Sequence, residues 1–234
     1  MNFYLCLALC ALLVFGCNAD SDSFIVTDSN SQSVGTTEGT PSVAADTEDD
    51  VIIDPVTGKE VPPDPGEAGW EGEGIDSDGD GLRDDVQRWL AVNYASKFTL
   101  EEYRIAKTYA ILFQRSLLYS DDKDKALNLV AEKHRLWDAL TYFRVEKELQ
   151  DFEAGNPDEA AVQNFLTNRI DELNAFSKGL EEAVINTNLR FITYREFDSQ
   201  LGGEVFSFAS SEADYQRAIA TSKIIVNREL GEVE

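Results

Sequence analysis

The chain has few residues suited to redox or zinc chemistry. Its three cysteines, Cys6, Cys10 and Cys17, all lie within the first seventeen of 234 residues. A disulfide framework and a cysteine-ligated zinc site are therefore excluded for the rest of the chain. The only histidine, His134, lies in the middle of a predicted helix among apolar residues. We interpret it as a packed core residue, and the alternative is a catalytic histidine.

The motifs of nucleotide-binding and zinc-dependent enzymes are also missing. The sequence contains no G-x-x-x-x-G-K-[ST] and no H-E-x-x-H. Carboxylate pairs of the kind used by glycosidases are common, but so acidic a chain produces them by chance. We therefore predict a protein that is not an enzyme. The alternative is an enzyme, such as a hydrolase, without a recognisable motif.

Basic residues are scarce. The chain has 20 Lys and Arg against 44 Asp and Glu, which gives a formal net charge of -24. Between Cys17 and Asp85 there are 19 acidic residues but only two basic ones, Lys59 and Arg83. This charge disfavours nucleic acid and anionic lipid headgroups, and it favours cations or basic partners. The alternative is that it only keeps an exposed segment soluble.

The first residues, MNFYLCLALCALLVFGC, form an apolar run without charge or proline. The run is shorter than the roughly 20 apolar residues that span a membrane, so it fits the apolar core of a secretory signal. Its end, LVFGC, resembles the lipobox of bacterial lipoproteins, with Gly16 before Cys17 and Val14 three residues back. The resemblance implies a signal peptide of residues 1–16 and a lipidated Cys17, which would attach the protein to the membrane. Since Asn18 follows, it also implies export to the outer membrane of the cell envelope.

One departure from the signal-peptide pattern leaves alternatives to lipidation of Cys17. No Lys or Arg precedes the apolar run, although signal peptides normally begin with positive charge. The alternatives to lipidation are an ordinary cleaved signal or a short anchor.

Residues 17–74 are rich in Ser, Thr, Asp, Glu and Gly and have little to bury. Such a segment cannot offset its ordering entropy, so we predict an acidic disordered tether. Within it, VIIDPVTGKEV places short apolar patches around a Pro-x-x-Gly turn. This pattern is compatible with a hairpin-like arm that docks on the folded domain.

The stretch DSDGDGLRDDVQ, which starts at Asp76, has the spacing of a twelve-residue calcium loop. Position six is Gly81, where the chain must turn sharply, and position seven, Leu82, offers its backbone carbonyl. Calcium prefers roughly 6–8 oxygen ligands, which this spacing can supply. We predict a Ca²⁺ loop over residues 75–87. It has aspartates at positions one, three, five and nine: Asp76, Asp78, Asp80 and Asp84.

The pattern resembles EF-hand-like loops, and more closely the calcium repeats of thrombospondin type 3 and dockerin modules. Two departures stand out, Gln87 in place of glutamate at position twelve and Arg83 in place of an aliphatic residue at position eight. The twelfth ligand could be the Gln87 amide oxygen, Asp85, or a tether residue such as Glu71 or Glu73. Without a bidentate glutamate we expect weak binding, with a Kd of roughly 10⁻⁴–10⁻³ M. The alternative to a metal site is an acidic turn that caps a helix.

Residues 84–234 have the i, i+3, i+4, i+7 spacing of amphipathic helices. We predict an all-α bundle of about five or six helices. Its clearest apolar stripe runs from Val162 to Val184, with Gly179 as a candidate kink. We expect a capping box at Thr99 and Glu102, and N-caps at Ser120, Asn156 and Ser211.

The whole layout resembles that of lipoproteins from marine bacteria, which combine an acidic Pro-rich arm, a GIDSDGDGLRDD-like loop and a helical tail. The resemblance implies no activity. We expect a lipid-anchored envelope protein with one structural Ca²⁺ loop. The alternative is a helical module that binds a basic protein or a cell-wall partner, with calcium incidental.

Overall fold

The computed structural model describes residues 51–66 and 74–231. Within these ranges the protein is an all-α bundle of six helices with one isolated β-bridge, which confirms the predicted fold class. A 3-10 turn, Ser116–Leu118, follows the second helix. The third helix changes to π-helical geometry over one segment and then continues. The helices are α1 (Asp84–Tyr94), α2 (Leu100–Arg115), α3 (Lys123–Thr141, continued by the π-helical Tyr142–Lys147 and by Glu148–Glu153), α4 (Glu159–Val184), α5 (Asn188–Gln200) and α6 (Glu212–Leu230).

Two helix starts agree with the sequence signals. At the start of α2, the Thr99 hydroxyl accepts from the Glu102 amide at 3.3 Å, and the Glu102 carboxylate accepts from the Thr99 amide at 2.7 Å. This reciprocal pair is the predicted capping box, which satisfies two otherwise unpaired donors. At the start of α6, the Ser211 hydroxyl accepts from the Asp214 amide at 3.2 Å.

Two predicted N-caps are wrong by two residues. Helix α3 is capped by Asp122, which accepts from the Lys125 amide at 3.1 Å, and not by Ser120. Helix α4 is capped by Asp158, not by Asn156. Asn156 has a φ of 54°, so it lies in the left-handed region and cannot adopt the extended backbone of an N-cap.

The helices pack in two connected groups. Helix α3 lies against α2 and α6, and α6 also contacts α2, while α4 packs against α1 and α2. At the junction, the fully buried Phe176 ring of α4 lies 5.1 Å from the Tyr94 ring centroid and 5.6 Å from that of Phe98. The predicted stripe of α4 faces this core through Leu166, Leu173, Phe176, Leu180 and Val184.

The folded unit begins earlier than the sequence indicated. Residues 51–66, which we assigned to the tether, form a hairpin-like arm, closed by the bridge between Ile53 and Glu60 and a turn at Gly58. The arm belongs to the same compact unit as the helices, and Asp54 and Val61 are buried. Within the segment assigned to the tether, this arm therefore folds together with the helices. The predicted signal peptide, Cys17 and the remaining tether, residues 1–50 and 67–73, lie outside the described residues.

Candidate cation site

The predicted loop precedes α1 and is folded around the side chain of Asp76. One carboxylate oxygen of Asp76 accepts from the amides of Gly79 (2.8 Å) and Asp80 (3.2 Å), and the other accepts from Gly81 (3.0 Å). Gly79 and Gly81 have φ values of 71° and 87°, which favour glycine because a Cβ would be strained there. Asp76 thus shapes the backbone that brings the later carboxylates back toward it.

Three of the four predicted aspartate ligands come together. Carboxylate oxygens of Asp76, Asp78 and Asp84 all lie within 4.8 Å of one another. Asp84 is the buried member and is fixed by Ser77, whose amide donates at 2.8 Å and whose hydroxyl donates at 2.5 Å. Like charges this close repel strongly, so a cation between these oxygens would stabilise the arrangement.

The fourth aspartate has a protein cation as its neighbour. The Oδ2 atom of Asp80 lies 2.6 Å from Nζ of Lys107, a lysine of α2, and its Oδ1 accepts from the Leu82 amide at 2.8 Å. The Lys107 ammonium also contacts Asp54, the buried carboxylate of the arm. Lys107 and Asp54 each leave about 1% of their side chain exposed. Neither residue belongs to the loop, and the sequence analysis missed both.

Gln87, at position twelve, has its amide in the middle of the carboxylates. Its Nε2 donates to Asp80 (3.0 Å), Asp78 (3.2 Å) and Asp54 (3.3 Å). Its Oε1 has no hydrogen-bond partner, although Gln87 is only 1% exposed. A buried amide oxygen without a donor is unfavourable by about 1–3 kcal/mol, and coordination to a cation after rotation of the amide would give that oxygen a partner.

The electrostatics of the site reflect one lysine shared by two buried acids. Burial alone would raise the pKa of Asp54, but the hydrogen bond and charge of Lys107 outweigh it and hold that pKa below its usual value. Burial raises the pKa of Asp80 in spite of Lys107, and the charge of Asp78 adds to this effect. Burial also raises the pKa of the Tyr103 hydroxyl, an effect to which Asp54 and Asp80 add, and that hydroxyl is a second buried group without a partner. The local excess of negative charge is therefore only partly compensated by the protein.

The remaining predicted residues anchor the loop. The Leu82 side chain is fully buried in the core. Because that side chain is hydrocarbon, only the backbone carbonyl of Leu82 can take part in ion binding. Arg83, the departure at position eight, is 1% exposed and pairs with Asp85, which lies 2.8 Å from its Nη2. Asp85 also accepts from Asn186. Because these partners already bind Asp85, it is a poor candidate for the twelfth ligand. Glu71 and Glu73 lie outside the described residues.

His134 is packed between the rings of Phe206 and Phe208, with centroid distances of 4.9 and 4.7 Å. Burial lowers its pKa to about 4, and the positive charges of Lys133 and Arg135 add to the shift. A histidine that stays neutral between two rings fits the core role expected from the sequence.

Compared with known proteins, the chain matches no family model, no curated protein and no solved structure. Across residues 51–66 and 74–231, none of the helices is both long enough and apolar enough to cross a membrane.

Proposed function

We propose that this is a lipid-anchored protein of the bacterial cell envelope, attached to the outer membrane through Cys17. In this proposal one Ca²⁺ binds the loop of residues 75–87 and orders the junction between the acidic tether and a non-enzymatic helical domain. The ion would bind Asp76, Asp78, Asp80 and Asp84 with the Leu82 carbonyl and the Gln87 amide oxygen. A fixed ion would set the direction in which α1 leaves the tether.

The observation that most supports a cation is the buried amide oxygen of Gln87. Clustered exposed carboxylates are common without a metal, but here Nε2 of the Gln87 amide lies beside three carboxylates, and its Oε1 is buried without a donor. Rotation of the amide by 180° exchanges its oxygen and nitrogen, which would direct Oε1 between Asp78 and Asp80. Gln87 is residue twelve of the predicted loop, so after this rotation its amide oxygen would be the twelfth-position ligand.

A structural ion stabilises the folded state because the unfolded loop does not bind it. With a Kd of roughly 10⁻⁴–10⁻³ M, about 10 mM Ca²⁺ should add about 1–3 kcal/mol to the free energy of unfolding. For a domain of this size that corresponds to a rise in Tm of about 3–10 °C. Thermal melts of the full chain in detergent, with Ca²⁺ or with chelator, measure the shift. Coincident melts would show that the ion has no structural role.

A charge-matched pair of variants separates a loop site from a general effect of salt on an acidic protein. Asp76→Asn/Asp78→Asn removes two proposed ligands. Asp151→Asn/Asp171→Asn removes the same charge from exposed aspartates of α3 and α4. Only the loop variant should lose the shift with Ca²⁺. An equal shift in both variants would mean that the cation acts through the overall charge.

The lipid anchor has its own test. Mass spectrometry of the protein isolated from membranes should find a mature N-terminus at a lipid-modified Cys17, and Cys17→Ser should abolish the modification. An unmodified mature chain that begins elsewhere would contradict the anchor. Fractionation of inner and outer membranes then tests the location.

A second candidate function is a binding module for a basic protein or a cell-wall component, with calcium incidental. It is favoured by three large apolar side chains of α5, Leu189, Phe191 and Ile192, which are 52–63% exposed. A partner that the module binds should be retained by Asp78→Ala/Asp80→Ala and lost with Leu189→Ser/Ile192→Ser. The reverse pattern would favour the calcium-dependent role.

A further inference from the structure

The ammonium of Lys107 is paired with a carboxylate oxygen that a bound cation would need as a ligand. It lies 2.6 Å from Oδ2 of Asp80, the position-five ligand of the proposed loop, and it also contacts Asp54 of the arm. The lysine projects from α2, and its side chain is 1% exposed. The pair with Asp54 is shielded from water on both sides and is therefore held firmly, whereas the Asp80 side chain remains 16% exposed.

The same carboxylate also accepts from the Gln87 amide. Oδ2 of Asp80 therefore has two internal donors, Lys107 at 2.6 Å and Gln87 at 3.0 Å. The other three predicted aspartate ligands, Asp76, Asp78 and Asp84, have no lysine or arginine among their ion pairs in the described part of the chain. Among these four residues, and within the part of the chain that the structure describes, only Asp80 has a lysine as its partner.

We propose that Lys107 is an internal competitor that sets the affinity of the loop for a divalent cation, a proposal that rests on the calcium site proposed above. To bind Asp80, the incoming ion must displace the Lys107 ammonium, and the ion then has that ammonium as a close neighbour of the same sign. Both effects weaken binding. The loop is accordingly tuned to an environment in which calcium is abundant, and the lysine prevents occupancy at low concentrations.

The arm determines how the displaced ammonium is accommodated. Asp54, which is not a residue of the loop, contacts Lys107 and also accepts from Gln87 at 3.3 Å. When the cation takes Asp80, Lys107 still has the arm carboxylate as its partner. Asp54 is therefore a positioning residue that keeps the lysine in place, not a ligand of the ion.

The test is a calorimetric Ca²⁺ titration of the full chain in detergent with Lys107→Met. Methionine fills a similar volume without charge, so Asp80 becomes available and the repulsion disappears. We expect a Kd at least tenfold lower than in the natural chain. The control is Lys133→Met, another buried lysine, whose Nζ lies 4.0 Å from the Phe113 ring centroid. That variant should bind Ca²⁺ with unchanged affinity.

A second variant keeps the test valid if Lys107→Met fails to fold, since Asp54 would be left buried without a counter-charge. Asp54→Asn/Lys107→Met removes both charges and leaves the net charge of the chain unchanged. It should still bind at least threefold more tightly, because the Lys107 ammonium no longer competes for Asp80. Unchanged or weaker binding in the folded variants, while the natural chain binds, overturns the role of Lys107 alone.

The remaining outcomes separate this proposal from the proposed function. If the natural chain shows no uptake but the lysine variants bind, competition by Lys107 is supported and a loop occupied in the natural protein is refuted. If neither the natural chain nor any variant binds Ca²⁺, both proposals fail.

Discussion

The guanidinium of Arg83 donates to the backbone carbonyl of Val184, 101 residues later in the chain, with Nη1 at 3.0 Å from the oxygen. Val184 is the last residue of α4, and the carbonyl of Ala183 accepts from the same side chain at 2.9 Å. Carbonyls at the end of a helix have no partner within it, and a cation there is also favoured by the helix dipole. Arg83, a residue of the loop, thus caps the C-terminal end of α4.

We predict that Arg83→Gln lowers the free energy of unfolding by about 2–4 kcal/mol. The variant loses charged hydrogen bonds to the buried Val184 carbonyl and the partly buried Ala183 carbonyl, and it leaves Asp85 without its main partner. Chemical denaturation measures the loss. Arg195→Gln removes the same charge from an exposed position of α5 and should change stability by no more than about 0.5 kcal/mol. Similar values for the two variants would mean that the Arg83 contacts add little.

Gly179 was a candidate kink in α4, but the helix runs unbroken from Glu159 to Val184. The glycine instead admits the ring of Trp89, since a Cβ there would lie 2.6 Å from Cζ2. Alanine normally stabilises a helix relative to glycine by about 1 kcal/mol. We predict the opposite sign for Gly179→Ala, a loss of about 1–3 kcal/mol, because the ring is packed against Phe176 and Tyr94 and cannot move freely.

A double-variant cycle tests the cause of that loss. In a Trp89→Leu background the clash is absent, so Gly179→Ala should be neutral or stabilising. If the alanine is equally destabilising in both backgrounds, the contact with Trp89 is not the reason for the glycine.

Lys133 predicts a specific pH dependence of stability. Burial lowers its pKa to about 7, although the charges of Glu181 and Asp198 oppose the shift. The unfolded chain therefore binds more protons than the folded chain between pH 7 and about 10.5, and stability must rise with pH in that window. From pH 7 to pH 9 the contribution of this group is about 2 kcal/mol. Lys133→Met should lack this rise and be more stable at pH 7; parallel profiles would contradict the assignment.

Features of the fold that depend on residues close together in the sequence could be predicted. The capping box at Thr99 and Glu102 and the apolar stripe of α4 follow from spacing alone. The two displaced N-caps show the limit of such signals. Where several capping residues stand close together, the choice depends on backbone conformation, as the positive φ of Asn156 shows.

The loop could likewise be located from spacing, but its surroundings could not. Asp54 and Gln87 are 33 positions apart, and Asp54 and Lys107 are 53 apart. Nothing in the local pattern relates the arm to α2. A lysine at that position of an amphipathic helix is indistinguishable, by sequence, from one that faces solvent. The shared ion pair is a product of tertiary packing.

Direct binding of calcium is the most decisive measurement for the account. Calorimetric titration of the full chain in detergent should show uptake of one Ca²⁺ per chain, with a Kd of roughly 10⁻⁴–10⁻³ M. Asp76→Asn/Asp78→Asn should abolish this uptake, while Asp151→Asn/Asp171→Asn should preserve it. No uptake by the natural chain at about 10 mM, or equal uptake by both variants, would contradict a calcium site in the loop.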